Sequence, residues 1–285
     1  MGKQKVAIVA DGACSLTPAK GEELGIHIAP VYITFGNQTY QAGVDLQEQD
    51  FYRLLSENKK LPTTAQPTAQ DFVKIYESLP EDIEEIITIV ISHHMSATLQ
   101  SAEISKEQYT KRPVHVFDSE SVSLGFGMMA MAAAQAAAEG KSAQQILEML
   151  DGIKKNINII FTVKTLEYLH KGGRIGGATA FLGSALDIKP ILNVQNGRIE
   201  PLEKQRTRSR SVARLVELME EKVGKEPVHI AILHGNSPEE AVQLEQAVKE
   251  RFNSVEMFTT DMGPVIGVHA GPGTLGLVFY PDNLQ

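Results

Sequence analysis

Residues 84–98, "EEIITIVISHHMSAT", decide the fold. Ile86, Ile87, Ile89, Val90 and Ile91 make an almost unbroken apolar run, the pattern of a strand covered on both faces in a parallel sheet. The polar turn that follows opens a helix near Ser96. The same unit recurs on either side. "KVAIVA" (5–10) reads as a buried strand ending in Asp11-Gly12, and Thr17-Pro18 caps a short helix after it. "VHVFDS" (114–119) reads as a third strand, followed by a helix from about Leu124. With a further helix from Thr68, this alternation predicts parallel βαβ units.

Between the first two units lie "IHIAPVYITFGNQTY" (26–40), with a hairpin turn at Gly36-Asn37, and "LPTTAQPT" (61–68). Pro62 and Pro67 bar the latter from a helix interior, so it reads as a loop. Thr68 and Asp71 stand at capping-box spacing at its end. A second alternation begins after the helix opened by Ser142. "INIIFTV" (157–163) is a strand, "DIKPILNVQNGRIEPLEK" (187–204) is two strands about Asn196-Gly197, and "SVARLVELMEEKV" (211–223) is a helix. Strand "HIAILH", a helix opened by Ser237-Pro238, and strands "VEMFTT" and "LGLVFY" complete the chain. The expected organisation is α/β in two lobes, 1–155 and 156–285.

Composition narrows the function. The chain has 285 residues, a formal charge of -8 and one cysteine. The acidic total argues against a general nucleic-acid or anionic-membrane binder. A lone Cys14 excludes a disulfide framework, fits a reducing cytosol and reads as an inert small side chain. The apolar start is too short for a signal peptide, and "GMMAMAAAQAAAEG" (127–140) falls short of a bilayer span. A cytoplasmic protein without stable membrane insertion is expected.

In an open parallel sheet, ligands sit beyond the carboxyl ends of the strands. That rule gathers Asp11, Ser15, Thr64, Ser92, His93, His94, Ser96, Thr98, Asp118, Ser119, Ser121 and Ser123. Neither "PTTAQPT" nor "SHHMSAT" carries Lys or Arg, and no Walker-type loop is present. A nucleoside triphosphate therefore fits poorly, whereas a carboxylate suits hydroxyls with the free N–H groups of a helix start at Ser96 and Ala97. Ser96 equally reads as a plain helix cap. His93-His94 point to opposite faces if extended, which argues against a metal site. "KGGRIGGA" (171–178) reads as a helix end at Gly172. Arg206, Arg210 and Arg214 share a helical face if that helix starts early, either as a solvated face balanced by Glu217 and Glu221 or as a dock for a phosphate-bearing partner. His269, amid glycines and prolines, reads as held by backbone rather than buried among side chains; it either completes a carboxylate site or is structural.

Seven segments together resemble the DegV family: "ADGACSLT", "PTTAQPT", "ISHHMSATLQSA", "VFDSESVSLGFG", "TLEYLHKGGRIG", the run from "DIKPIL" through "NGRI" to "EKQRTRSRSVARL", and "GPVIGVHAGPGTLG". These are bacterial fatty-acid-binding proteins that include the acyl-carrying subunit of fatty acid kinase. The resemblance implies a two-lobed fold with a long-chain fatty acid in a tunnel between the lobes. It implies that Thr64, Ser96, the Ala97 N–H and His269 hold the carboxylate, and that Arg174 and Arg206 engage a kinase subunit. It implies a carrier rather than an enzyme, with no cofactor and no metal. Gly12, Ala97 and His93-His94 depart from the family's usual serine, glycine and small residues. The competing readings are a hydrolase or transferase using Ser96 with a histidine of the 93–94 pair or His269, and a regulatory or nucleic-acid-binding module working through the Arg206 helix.

Overall fold

Val6 to Asp11 are buried at every position, as an apolar run covered on both faces requires. They form the first strand of a computed structural model that describes residues 5–183 and 188–284. The elements of the first half are β1 (Val6–Asp11), α1 (Pro18–Leu24), β2 (Ile26–Ala29), β3 (Tyr32–Phe35), β4 (Gln38–Gln41), α2 (Glu48–Glu57) and β5 (Thr63–Ala65). They continue with α3 (Ala69–Ser78), β6 (Glu85–Val90), α4 (Thr98–Gln108), β7 (Val114–Asp118), α5 (Leu124–Ala138) and α6 (Ala143–Asn156). The second half runs β8 (Asn158–Thr162), α7 (Glu167–Lys171), a 3-10 segment (Gly176–Phe181), β9 (Lys189–Gln195), β10 (Arg198–Gln205) and α8 (Arg208–Val223). It ends with β11 (Val228–His234), α9 (Pro238–Lys249), β12 (Ser254–Asp261), α10 (Gly263–Ala270) and β13 (Leu275–Pro281). Asp187, which opens the expected β9 strand, and Met1 to Gln4 lie outside the described residues.

The fold is mixed α/β. The two larger sheets are a parallel one, in the order β2-β1-β6-β7, and a mixed one, in the order β10-β9-β8-β13-β11-β12; a small antiparallel sheet has the order β4-β3-β5. Strand alternation assigns the faces of the first sheet. Ala7, Val9, Ile86 and Val90 pack with Phe72 and Tyr76 of α3 and Ala102 of α4. Ile8, Ala10, Ile87 and Ile89 share a cluster with α5 on the opposite face. The second sheet works the same way: Ile230, Ile232, Leu277 and Phe279 meet α8 and α9, while Ala231, Leu233 and Val278 join the α5 cluster. The α5–α6 layer thus lies between the two sheets. The Ala-rich helix is the buried helix that its composition predicts, and Gly127 lets it approach, since a Cβ there would overlap the Cys14 carbonyl.

Local signals are met where they are local. Thr68 with Asp71 and Ser142 with Gln145 form capping boxes, and β3–β4 and β9–β10 are hairpins. Three expectations are corrected. "LPTTAQPT" is not wholly a loop: Thr63–Ala65 pairs antiparallel with β3, and the two prolines bracket the ladder without breaking it. Gly263–Ala270 is a helix, because Pro264 falls in its first turn, where a missing N–H costs nothing. Arg206 precedes α8. The Thr207 hydroxyl accepts from the Arg210 N–H at 3.2 Å and so starts the helix at Arg208, after Arg206. Arg210 and Arg214 pair with Glu217, and Arg214 also with Glu203 and Glu221, so that face is internally balanced.

Candidate functional site

Beyond the carboxyl ends of β1 and β6 a cavity of about 110 Å³, partly open to solvent, runs to α10 and the second sheet. The wall is mostly apolar, with Val31, Ile91, Met95, Val122, Ile159, Phe161, Leu233 and Val265 among its residues. Of the loop residues gathered from the sequence, Asp11, Thr64, Ser96, Thr98 and Ser123 line it. The others serve the frame. Ser92 Oγ donates to the Gly197 carbonyl at 2.8 Å, and the Ser121 N–H donates to Ser119 Oγ at 3.1 Å.

Thr64 and His269 meet across the cavity wall, Oγ1 to Nε2 at 2.9 Å. The strand β5 presents Thr64, and α10 presents His269; both line the cavity, as does Gln66, two residues along the period-2 face of Thr64. His269 is therefore held by a side chain, and mostly buried, not placed by backbone alone. Burial first, and the Arg174 charge second, push its imidazole down to about 4. It is neutral at pH 7, with Nδ1 buried and without a hydrogen-bond partner among the described residues.

Arg174 completes the polar cluster. Its Nε donates to the Met95 carbonyl at 3.1 Å and its Nη1 to the Gly172 carbonyl at 2.7 Å, which leaves the exposed guanidinium at the cavity edge beside His269 and the Ser96 turn. The sequence reading gave this residue to a partner surface; its place in the wall was hidden because its neighbours come from other segments. Arg206 does not line the cavity; it is exposed and has no hydrogen bond or ion pair among the described residues. Ser96 Oγ accepts from the Thr98 N–H at 3.3 Å and bonds Thr98 Oγ1 at 2.8 Å, so it lines the cavity and meets the first N–H of α4, but the N-cap position is Ala97 and not Ser96. Ala97 is exposed and outside the lining.

Asp11 is buried, and its two oxygens accept from the N–H groups of Ala13 at 2.9 Å and Ile91 at 2.8 Å. The carboxylate thereby ties the ends of β1 and β6. Burial outweighs those two bonds and pushes it up to about 6. Ser15 donates to the Met262 carbonyl at 2.8 Å, so Ser123 is the donor in the 2.7 Å bond between the two hydroxyls. Cys14 is buried and pushed up to about 12, chiefly by desolvation, which agrees with an inert thiol.

His93 and His94 do not point to opposite faces. They sit in a turn rather than a strand, with ring centroids 3.8 Å apart. His93 Nδ1 pairs with Asp118 at 2.5 Å, and His94 Nδ1 accepts from Arg198 at 3.1 Å. Neither is bonded to Ser96. Among the described residues no cluster of three or more His, Cys, Asp or Glu is arranged to hold a metal, and no helix is long and apolar enough to cross a membrane.

A family model described as "Uncharacterised protein, DegV family" matches residues 5–282. The chain is 38% identical over 281 residues to a DegV domain-containing protein of Halalkalibacterium halodurans, covering 98% of this chain and 99% of that one. It is 34% identical over 274 residues to protein DegV of Bacillus subtilis, covering 95% and 98%. Among solved structures it is similar to a fatty-acid-binding DegV family protein of Thermus thermophilus, with TM-score 0.92, 30% identity, and 97% and 99% of the two chains covered. DegV of Bacillus subtilis, a fatty acid binding protein, superposes with TM-score 0.90 at 33% identity, covering 98% and 100%. A match along nearly the whole chain, in sequence and in fold together, means that this protein belongs to the DegV family.

Proposed function

We propose that the protein binds a long-chain fatty acid, with the acyl chain between the two lobes that meet near residue 156 and the carboxylate at the polar cluster. The observation that carries this reading is the contiguity of Thr64, His269, Arg174 and Ser96 at one part of an otherwise largely apolar cavity. Burial of the tail supplies most of the affinity. Each enclosed methylene is worth about 0.8 kcal/mol, so roughly ten of them outweigh the ~1.5–3 kcal/mol of a hydrogen bond to a charged group. The head-group contacts then set orientation. Thr64 and Ser96 offer hydroxyls, neutral His269 offers a ring nitrogen, and Arg174 offers charge. The Ala97 N–H, at the N-cap of α4, stands at the helix end that favours an anion.

In this role the protein is a cytoplasmic carrier that presents the carboxylate to a separate ATP-dependent fatty acid kinase and carries the acyl phosphate. Exposed Arg206 suits docking of that subunit. The hydrolase reading lacks a nucleophile–base pair among the described residues: Ser96 bonds Thr98, His269 bonds Thr64, and His93, which Asp118 orients, is not bonded to Ser96. The test is native mass spectrometry of the purified protein, followed by extraction and identification of bound lipid. A retained fatty acid is expected, and acyl phosphate on addition of ATP and a fatty acid kinase subunit. A protein that is free of lipid and stays so through a panel of fatty acids overturns the proposal.

A further inference from the structure

The turn that carries Ser96 belongs to the first half of the chain, yet the second half holds it in place. Ser92 Oγ donates to the Gly197 carbonyl at 2.8 Å in a buried contact. Arg174 Nε donates to the Met95 carbonyl at 3.1 Å. Between them, Arg198 Nη2 reaches His94 Nδ1 at 3.1 Å. The β9–β10 hairpin comes this close because its turn residue is glycine: Gly197 has a φ of 73°, and a Cβ there would overlap Ser92 Oγ.

The middle contact has a property the other two lack. An arginine side chain in a protein has no lone pair to offer and does not deprotonate. His94 Nδ1 is therefore the acceptor, and the imidazole is neutral with its proton on Nε2. Protonation places an N–H against an N–H and a cation against a cation. His93 lies in ring contact on one side, itself paired with Asp118. Asp118 and Glu120 are the carboxylates that face the pair; Lys154 of α6 lies 3.9 Å from the Glu120 carboxylate and donates to the Asp118 backbone carbonyl at 3.5 Å.

We propose that His94 and Arg198 are positioning residues that form a proton-sensitive latch, closed at neutral pH and opened by acid, on the turn that presents Ser96 to a carboxylate ligand. The inference rests on the proposed function for its ligand, and on the interlobe contacts for its geometry. Desolvation first, then the Arg198 and His93 charges, hold His94 below the ordinary imidazole range, while Asp118 and Glu120 pull the other way. The closed latch therefore binds fewer protons than the open one. Closure is fully favoured above the ordinary histidine value of about 6.5 and weakens as pH falls below it, by at most about tenfold per pH unit for one proton. A ligand exchanges more readily where the protein is acidified.

The test follows release of bound cis-parinaric acid into excess serum albumin between pH 8 and 5.5, for the native protein and for His94→Gln. Glutamine keeps a carbonyl acceptor for Arg198 and cannot be protonated. Burial pushes Asp11 up to about 6, inside this range, so the comparison decides and not the native profile alone. Release is expected to accelerate below pH 6.5 more steeply in the native protein than in His94→Gln, by up to about fivefold in all, the most that an exposed side-chain pair contributes. Equal slopes in the two proteins overturn the latch. A second readout needs no ligand: amide hydrogen exchange of residues 92–97, corrected for the intrinsic effect of pH, is expected to rise on acidification only in the native protein. Absence of cis-parinaric acid binding at pH 8 counts against the proposed function, and the exchange measurement then judges the latch by itself.

Discussion

Thr64→Val removes one oxygen and keeps the shape of the side chain, so its consequences can be worked from one hydrogen bond. In the free protein Thr64 Oγ1 is the hydrogen-bond partner of His269 Nε2 at 2.9 Å, while His269 Nδ1 has none. The variant leaves a buried neutral imidazole without a partner at either nitrogen. A stranded buried polar group costs about 1–3 kcal/mol, or a fall in melting temperature of roughly 2–5 °C for a chain of this size. In the complex the same hydroxyl is expected to donate to the ligand carboxylate. Loss of a hydrogen bond to a charged group, about 1.5–3 kcal/mol, weakens binding roughly 10- to 150-fold. Scanning calorimetry of delipidated protein reads the first effect, and displacement titration with cis-parinaric acid reads the second. A lowered melting temperature with an unchanged dissociation constant refutes the head-group role and leaves Thr64 as a support for His269. An unchanged melting temperature refutes the argument about His269.

The two arginines separate in the same titration. Arg174→Met is expected to weaken fatty acid binding at least several-fold and to raise the His269 pKa in an NMR titration, since the Arg174 charge contributes to its depression. Arg206→Ala is expected to leave binding unchanged and to reduce acyl phosphate formation with the kinase subunit; the opposite pattern reverses the two assignments. Asp11 gives a pH signature. Its carboxyl ionises from about 3.8 when unfolded and about 6 when folded, so protonated Asp11 favours the fold and this contribution is lost as pH rises between those values, by roughly 3 kcal/mol in all. Urea unfolding at pH 4.5 and 7 is expected to show a smaller pH difference in Asp11→Asn than in the native protein; identical differences refute the burial argument.

What could be read along the chain, and what could not, divides at the range of the interaction. The run "VAIVAD" declares a doubly covered strand because each of its residues must be shielded from water. Thr68 with Asp71 and Ser142 with Gln145 declare helix starts because the bonds that cap them span three residues. Asn196-Gly197 declares a hairpin because left-handed backbone is needed at that turn. The candidate head-group residues Thr64, Ser96 and His269 were also reachable, as hydroxyls at strand ends and a histidine in a distinctive segment. The strand at Thr63–Ala65 was not, since three residues carry too little periodicity and their pairing with β3 is what makes them a strand.

The sequence by itself determined the two alternations, the buried Ala-rich layer and the polar loops at the sheet edge, all of them products of local periodicity, capping and burial. Only the tertiary structure decided which of those loops meet. Thr64 finds His269 across 205 residues, Ser92 finds Gly197 across 105, and Arg174 turns out to share a cavity with Thr64 and Ser96. Such contacts depend on how the two sheets close over the α5–α6 layer. That closure is set by the summed packing of the whole core, which leaves no mark on any single stretch of residues.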